Sequence, residues 1–153
     1  MKVSIASGFL ILLVASASAE LGRRQGGYPA TCGEVRLDDA TMNPQYLTGD
    51  CDDGHGFTLK TRLDLNLCYS PNEEGVMVPI DMGIGLNTSQ SYAPCVDCFI
   101  GNGYELPRTY YACDCIGPNG GVFKHSGVYL DELIYNQDGF LKCFDHTAVQ
   151  VPF

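Results

Sequence analysis

The chain has 153 residues, 18 of them acidic and nine basic, and a formal net charge of −9 at pH 7. Such an acidic surface repels phosphate, so we predict that neither nucleic acid nor an anionic membrane is a partner. The chain contains no Trp, and its 18 Gly divide it into short segments. No window keeps the i, i+3, i+4, i+7 apolar stripe of a long helix, so long helices are not predicted.

Residues 1–19 have the three regions of a secretory signal peptide. Lys2 provides the basic start, residues 9–14 are apolar, and Ala17-Ser18-Ala19 is a small-x-small cleavage site. The segment is too short for a membrane anchor, and no later segment is apolar for long enough to span a bilayer. We therefore predict a secreted, extracellular protein. Its mature chain has a charge near −10, because the removed segment contains one Lys and no acidic residue.

All eight Cys follow the signal peptide. An even number in a secreted chain of this size predicts disulfide bonds that supplement a small core. The alternative is a zinc site at Cys95-Val-Asp-Cys98 and Cys113-Asp-Cys115. Zinc ribbons, however, prefer two-residue spacing in both pairs and a reducing compartment. The acidic residues 50–54 lack the Glu at position twelve of a calcium loop. We predict no metal and no other cofactor.

The chain contains an internal repeat with a period of about 64 residues. Each unit has a strand, a loop, a strand ending in Cys, a Gly-rich turn, a third strand and a hairpin. Residues 57–63 alternate apolar and polar as a half-buried strand does. In the second unit, Asp138-Gly139 between two apolar runs predicts a tight hairpin. The recurring landmarks are Cys32 and Cys95, Leu37 and Ile100, Cys51 and Cys115, and Leu65 and Leu130.

This repeat divides the chain after the signal peptide into consecutive parts. The linker contains the only N-x-S/T sequon, at Asn87, which is therefore a predicted glycosylation site. In the arm, Arg23-Arg24 marks either a second processing site or a solvated charged start. The predicted parts are an N-terminal arm (20–27) and one domain (28–145) made of repeat 1 (about 28–78), a linker (79–94) and repeat 2 (about 95–145), followed by a tail (146–153).

The repeat also predicts two disulfide bonds, Cys32–Cys51 and Cys95–Cys115, because each joins equivalent strands within one unit. Closing a loop of this length stabilises each unit by roughly 3 kcal/mol. Cys98–Cys113 would form a second rung in repeat 2. Strict strand alternation argues against that rung, because it places Cys98 and Cys95 on opposite faces unless a bulge intervenes. Cys68–Cys143 is left by elimination.

The pattern resembles the cyanovirin-N homology family of secreted or bacterial sugar-binding proteins. The resemblance spans about residues 28–145 and implies an all-β, disulfide-rich fold of two tandem pseudo-symmetric repeats. Each repeat would be a three-stranded sheet plus a β-hairpin, with the hairpins exchanged between the halves. The motifs that carry the resemblance are Cys32-x4-Leu37, Leu47-Thr-Gly-Asp-Cys51, Leu63-Asp-Leu-Asn66 and, most specifically, Leu130 to Lys142 with its Asn-x-Asp-Gly-x-Leu-Lys ending.

The resemblance also implies a shallow pocket for mannose-type sugars where the second hairpin meets repeat 1. The corresponding positions are Thr31, Asp52, Asn136, Gln137 and Asp138. Their chemistry suits adjacent sugar hydroxyls, because a carboxylate accepts from two of them and an amide completes the network. The alternative is that Asn136 and Asp138 only build the turn.

We expect one working site. The first hairpin, Cys68-Tyr-Ser-Pro-Asn-Glu-Glu-Gly75, lacks the Asn-x-Asp-Gly motif, and Pro71 removes a backbone donor near its tip. The second pocket, near Pro94 and Ile116, would therefore lack most of the polar groups. Cys143 stands where the family usually has an aromatic residue, which alters the wall of the first pocket.

The predicted function is a lectin for high-mannose glycans, as a monomer or a domain-swapped dimer. The alternative is a secreted interaction protein that kept the fold and lost the sugar. No enzyme is predicted, since the neighbouring carboxylates Asp52-Asp53 and Glu73-Glu74 point to opposite faces of a strand. The three His have no nucleophile or zinc-ligand spacing.

Overall fold

A computed structural model of the protein describes residues 27–38, 45–81, 95–116 and 124–153. The predicted signal peptide, most of the N-terminal arm and the glycosylation site at Asn87 lie outside these ranges. So does most of the predicted linker. Within them the protein is all β, apart from three short 3₁₀ turns at Tyr28–Ala30, Leu65–Leu67 and Leu130–Glu132.

The strands repeat in the order that the sequence predicts. Repeat 1 contains β1 (Cys32–Asp38), β2 (Tyr46–Asp52), β3 (Thr58–Asp64), β4 (Tyr69–Pro71) and β5 (Met77–Pro79). Repeat 2 contains β6 (Cys95–Ile100), β7 (Tyr110–Cys115), β8 (Lys124–Tyr129), β9 (Tyr135–Gln137) and β10 (Phe140–Cys143). The C-terminal residues add β11 (His146–Thr147) and β12 (Val149–Gln150).

Each repeat has an antiparallel three-stranded sheet, β1-β2-β3 or β6-β7-β8, followed by a hairpin that leaves its own sheet. Hairpin β9–β10 packs on β2 and β3 of repeat 1, where fully buried Leu141 lies over Gly49. Hairpin β4–β5 packs on β8 of repeat 2, and the Met77 N–H donates to Ser126 Oγ at 2.7 Å. The predicted fold of two repeats with exchanged hairpins is confirmed.

A β-bulge occurs at the same place in both sheets. In repeat 2, Cys95 pairs with Cys115 and Val96 with Asp114, but the next pair is Phe99 with Ala112. The extra residue is Asp97, whose φ of 50° lies in the left-handed region, as does Glu34 (φ 48°) in repeat 1. The bulge offsets the alternation by one residue, so Cys98 faces the core beside Cys95 and bonds to Cys113.

The two repeats differ at this inner rung. Repeat 2 contains Cys95–Cys115 and Cys98–Cys113, whereas repeat 1 contains only Cys32–Cys51. The positions that correspond to Cys98 and Cys113 are Val35 and Gly49. A Cβ on Gly49 would lie 3.2 Å from Val35 Cγ2, so the valine side chain occupies the space that the second disulfide takes in repeat 2.

The fourth disulfide joins the halves. Cys68 precedes hairpin β4–β5 and bonds to Cys143 at the end of β10, 75 residues away in sequence. The surrounding core includes Leu65, Leu130 and Ile134, all fully buried. Each such side chain contributes roughly 1.5–3 kcal/mol relative to an exposed one. With this bond all eight Cys are paired, and none is free.

The residues assigned to a tail are structured. Val149 and Gln150 form β12, which pairs with Arg62 and Thr61 along the outer edge of β3. The Val151 N–H donates to the Lys60 carbonyl at 2.9 Å, and Lys60 Nζ lies 6.0 Å from the Phe153 ring centroid. The C-terminal residues therefore cover an edge that would otherwise present unpaired backbone groups.

The nested disulfides of repeat 2 predict unequal effects of disulfide removal. The double variant Cys32→Ser, Cys51→Ser removes the one disulfide within the repeat 1 sheet. It should lower the free energy of unfolding by about 2–5 kcal/mol. Cys98→Val with Cys113→Gly installs the pair that repeat 1 uses, while Cys95–Cys115 still closes the loop. We expect this second variant to lose less stability, because the remaining bond already restricts the unfolded chain. Urea unfolding followed by circular dichroism measures both; an equal or larger loss for the second variant contradicts this reasoning.

Candidate functional site

The tip of hairpin β9–β10 is a two-residue turn. Gln137 pairs with Phe140, and the residues between them, Asp138 and Gly139, both have positive φ (52° and 87°). This is the type I′ geometry that matches the twist of the flanking strands. A Cβ on Gly139 would lie 2.6 Å from Leu59 Cδ1 and 3.2 Å from Asp53 Cβ. Only Gly therefore allows the tip to lie this close to the β2–β3 turn.

Asn136 connects the hairpin to repeat 1. Its Nδ2 donates to the Asp52 carbonyl at 2.8 Å and to Thr31 Oγ1 at 3.1 Å. The opposite amide orientation would place Oδ1 against the Asp52 carbonyl with no proton between them, so the donor assignment follows from the chemistry. The Asp52 N–H in turn donates to the Thr31 carbonyl at 2.9 Å. Thr31, Asp52 and Asn136, from three separate segments, thus meet at one junction.

The acidic residues of the β2–β3 turn shape its backbone. Asp52 Oδ1 accepts from the Gly54 N–H at 2.7 Å. Asp53 Oδ1 accepts from the N–H groups of His55 at 2.7 Å and Phe57 at 3.0 Å. These two donors, His55 first, lower the pKa of Asp53 below its ordinary value, so this exposed carboxylate stays charged in mild acid.

The remaining two predicted residues lie at the exposed tip. Gln137 Oε1 accepts from Lys142 Nζ at 3.1 Å, which turns this side chain back along the hairpin. The Asp138 side chain is exposed. The structure therefore joins Thr31, Asp52 and Asn136 by hydrogen bonds and holds Gln137 and Asp138 beside them on the surface.

Two neighbours of this junction were missed from the sequence. Asp53 organises the turn that contains Asp52, and Phe57, at the end of that turn, leaves 70% of its surface exposed. An Asp two and four residues before its N–H partners is an Asx-turn signal, so the role of Asp53 was within reach of sequence reasoning. Phe57 was assigned to a half-buried strand, but the strand begins one residue later.

The hairpin of repeat 1 has a different tip. Asn72 Oδ1 accepts from the N–H groups of Glu74 at 3.0 Å and Val76 at 2.9 Å, so this side chain folds onto its own turn. Asn136 instead reaches the opposite repeat. The predicted second pocket includes Pro94, which lies outside the described residues.

Two other features were searched for in the described part of the chain, a metal-binding cluster and a membrane-spanning helix. Within residues 27–38, 45–81, 95–116 and 124–153, no group of three or more His, Cys, Asp or Glu could hold a metal ion. In the same ranges, no helix has the length and apolar character needed to cross a membrane.

The sequence model of the CVNH domain matches residues 28–142, about three quarters of the chain. The chain belongs to the CVNH family. The matched residues include Thr31, Asp52 and Asn136. A search of curated proteins finds no significant match.

Solved structures of CVNH proteins share the fold. A crystal structure of a MoCVNH3 variant (Mo0v) in complex with (N-GlcNAc)4 is similar with a TM-score of 0.60 and 15% identity, covering 80% of this chain and all of that one. A designed cyanovirin-N homolog lectin, LKAMG, has a TM-score of 0.59 and 18% identity. The structure of the T. borchii CVNH has a TM-score of 0.56 and 19% identity. The last two comparisons each cover 77% of this chain and 99% of the other. At these identities the similarity establishes the common fold.

The contacts of Asn136 predict how the junction responds to loss of its donor. Asn136→Asp keeps the side-chain shape but places a carboxylate against the Asp52 carbonyl. We expect a loss of about 1–3 kcal/mol at pH 7, measured by urea unfolding. Burial against an acceptor raises the pKa of the new carboxyl in the folded state, so the loss should shrink as pH falls towards about 4.

The matched control for this variant is Gln137→Glu, the same amide-to-acid change one residue away. Its carboxylate faces Lys142 and solvent, so its unfolding free energy should stay within about 0.5 kcal/mol of wild type. Equal losses in the two variants would show that Asn136 does not anchor the hairpin.

Proposed function

We propose that the protein is a secreted lectin that binds mannose-type glycans at the junction of hairpin β9–β10 with repeat 1. The site consists of Thr31, Asp52, Asn136, Gln137 and Asp138. One observation carries the proposal: the Asn136 amide is bonded across the two repeats, so it holds an exposed polar tip in a fixed position beside Asp52. A turn that needed only local support, like that at Asn72, would not have these contacts.

We assign different roles to these residues. Both donors of Asn136 are used by Thr31 and Asp52, so we assign Asn136 and Thr31 to positioning. The groups left to meet sugar hydroxyls are the carboxylates of Asp52 and Asp138 and the Nε2 of Gln137. A carboxylate at a rigid turn accepts from two adjacent hydroxyls in a fixed orientation, which favours vicinal diols of one geometry. Exposed Phe57 would border the bound sugar.

Family membership supports sugar binding as the general function. Among proteins of the same fold, one is a designed lectin and another forms a complex with a GlcNAc oligomer. The preference for mannose rests on the Asn136-to-Asp138 motif and its resemblance to the family pattern. On this reading the protein is not an enzyme, and glycans are its partners.

The test is titration with oligomannose by calorimetry or NMR. An exposed pocket should bind a single sugar weakly, near millimolar, or about 4 kcal/mol. Avidity would come from several arms or several copies. Asp138→Asn keeps the turn and removes a charged acceptor, so it should lose most of the binding and melt like wild type.

Asp145→Asn is the matched control, since Asp145 is also exposed and lies in the turn at the other end of the same hairpin strand. It should bind as the wild type does. If Asp138→Asn binds unchanged, the site assignment is wrong. If the wild type binds no oligomannose, the second candidate, an interaction protein on the same fold, is favoured. The altered tip of hairpin β4–β5 and the second rung of repeat 2 are the features that support this candidate.

Secretion is proposed from the N-terminal sequence and agrees with four disulfide bonds, which persist in oxidising compartments. Intact mass spectrometry of the secreted protein should show a chain beginning at Glu20, or at Gln25 if Arg23-Arg24 is processed. Without reduction, alkylation should add no mass. A mass that retains residues 1–19, or two or more alkylated Cys, would contradict the proposal. Light scattering distinguishes a monomer from a domain-swapped dimer.

A further inference from the structure

A cleft of about 360 Å³ lies on repeat 2 and shares no residue with the proposed lectin site. It is formed where hairpin β4–β5 meets β8 and the 3₁₀ turn that follows. Its volume is at the lower end of the range for small-molecule sites and larger than a single amino-acid side chain needs. Its lining includes Tyr69, Gly127, Val128, Tyr129, Glu132 and Leu133.

The cleft combines an apolar wall with one exposed carboxylate. Val128 and Leu133 form part of the wall, and Glu132 presents an exposed carboxylate. Tyr69 lies beneath the cleft: it is 99% buried, and its hydroxyl, which has no hydrogen-bond partner in the described part of the chain, is buried as well. Burial raises the pKa of Tyr69, and the charges of Tyr28, Glu132 and Asp131 add to this, so the hydroxyl remains a donor.

An aromatic row leads out of the cleft across the outer face of the β6-β7-β8 sheet. Tyr129, which lines the cleft, meets Tyr110 edge to face with ring centroids 5.4 Å apart. Tyr110 lies 6.5 Å from Phe99, which stacks on His125 at 5.3 Å. The Tyr110 ring extends over Gly127, where any Cβ would overlap it. Tyr129 remains 45% exposed, so part of its ring is available to a ligand.

Repeat 1 closes the corresponding place. Tyr46 corresponds to Tyr110 and pairs with the end of β3 as Tyr110 does with the end of β8. Arg62 corresponds to Gly127, and its guanidinium lies 4.4 Å from the Tyr46 ring centroid. Strand β12 then covers the β3 edge, with Val149 opposite Arg62. In repeat 2 the Tyr110 ring covers Gly127, and the described residues contain no strand that pairs with the outer edge of β8, so this edge stays open beside the cleft.

The charge of the protein and the residues that line the cleft limit which ligands can bind there. Glu132 and the net charge of −9 disfavour anions. The Glu132 carboxylate accepts hydrogen bonds, so it favours a ligand that presents hydroxyl or N–H donors, as a sugar does. The exposed Tyr129 face suits the C–H face of a pyranose, and Val128 with Leu133 suits a small apolar substituent. A neutral sugar with an acetamido group has all of these features.

We propose that this cleft binds an N-acetylhexosamine unit of a neutral glycan, with the sugar ring on Tyr129, a hydroxyl group bonded to the Glu132 carboxylate, and its acetamido methyl against Val128 and Leu133. The aromatic row would continue the contact to the next sugar. The site is independent of the mannose site, so either can fail alone.

The experiment is an NMR titration of the full mature chain with the N-acetylglucosamine tetramer. Amide signals of residues 127–133 should shift saturably, while those of Asp52 and Asn136 stay in place. Cellotetraose has the same backbone without acetamido groups and should bind roughly threefold or more weakly, as expected for losing a buried methyl group. Shifts confined to the signals of Asp52 and Asn136 would show that the tetramer does not bind in the cleft, while the lectin proposal would remain. The glucosamine tetramer carries protonated amines; if it binds more tightly than the acetylated tetramer, the cleft is a cation site and the proposal is wrong.

Two variants and two matched controls test the named residues. Tyr129→Ala should weaken tetramer binding roughly three- to tenfold, and Glu132→Gln, which keeps the side-chain shape, about twofold or more. Tyr104→Ala and Glu105→Gln make the same changes at exposed positions in the β6–β7 loop and should bind like wild type. If both single variants, Glu132→Gln and Tyr129→Ala, bind the tetramer as wild type does, the assignment is wrong. It is also wrong if the two control variants lose as much affinity.

Discussion

Neither three-stranded sheet of this protein covers its own apolar face. Small sheets of this size are marginal unless they pack on another element, and here each sheet packs on the hairpin of the other repeat. Leu141, carried by β10, is fully buried against the repeat 1 sheet, and the Asn136 bonds hold the same hairpin at its tip. Folding of either repeat therefore depends on the other. The proposed sugar site lies at the contact that completes the fold.

The repeat made the architecture readable from the sequence. Equivalent Cys and Leu positions at a period of about 64 residues define the sheets, and Asp138-Gly139 identifies the second hairpin. The inner rung was harder to predict, because alternation argues against Cys98–Cys113. The reason is Asp97, a single bulged residue with positive φ, and no local pattern distinguishes it from an ordinary strand residue.

The junction of Thr31, Asp52 and Asn136 could be predicted only from the family resemblance, which supplied its long-range contacts. Thr31 and Asn136 are 105 residues apart, and nothing in their local sequences shows that they touch. Strand β12 was read as a tail because two residues are too few to show a period. In repeat 1, β12 covers the outer edge of β3. The outer edge of β8 in repeat 2, beside the cleft at Tyr129, has no such strand in the described residues. Such a difference between two halves appears only when the tertiary packing is known.

The pseudo-symmetry is thus broken in opposite ways on the two repeats. Repeat 1 receives the polar tip with Asn136 and Asp138, while its β3 edge is covered. Repeat 2 receives the hairpin whose Asn72 turn is self-contained, while its β8 region stays open. A duplicated unit can change one copy while the other maintains the fold. Here the changes leave one copy suited to a surface junction and the other to a cleft.

The Cys68–Cys143 bond has a consequence for how the protein assembles. It joins a residue of repeat 1 to the hairpin that repeat 2 donates. If two chains exchanged this hairpin, Cys143 of each would reach Cys68 of the other, and the pair would become covalent. The choice between one chain and two is therefore made when this bond is oxidised, and dilution afterwards cannot reverse it. The assembly state would then record the conditions under which the chain folded and oxidised, rather than its later concentration.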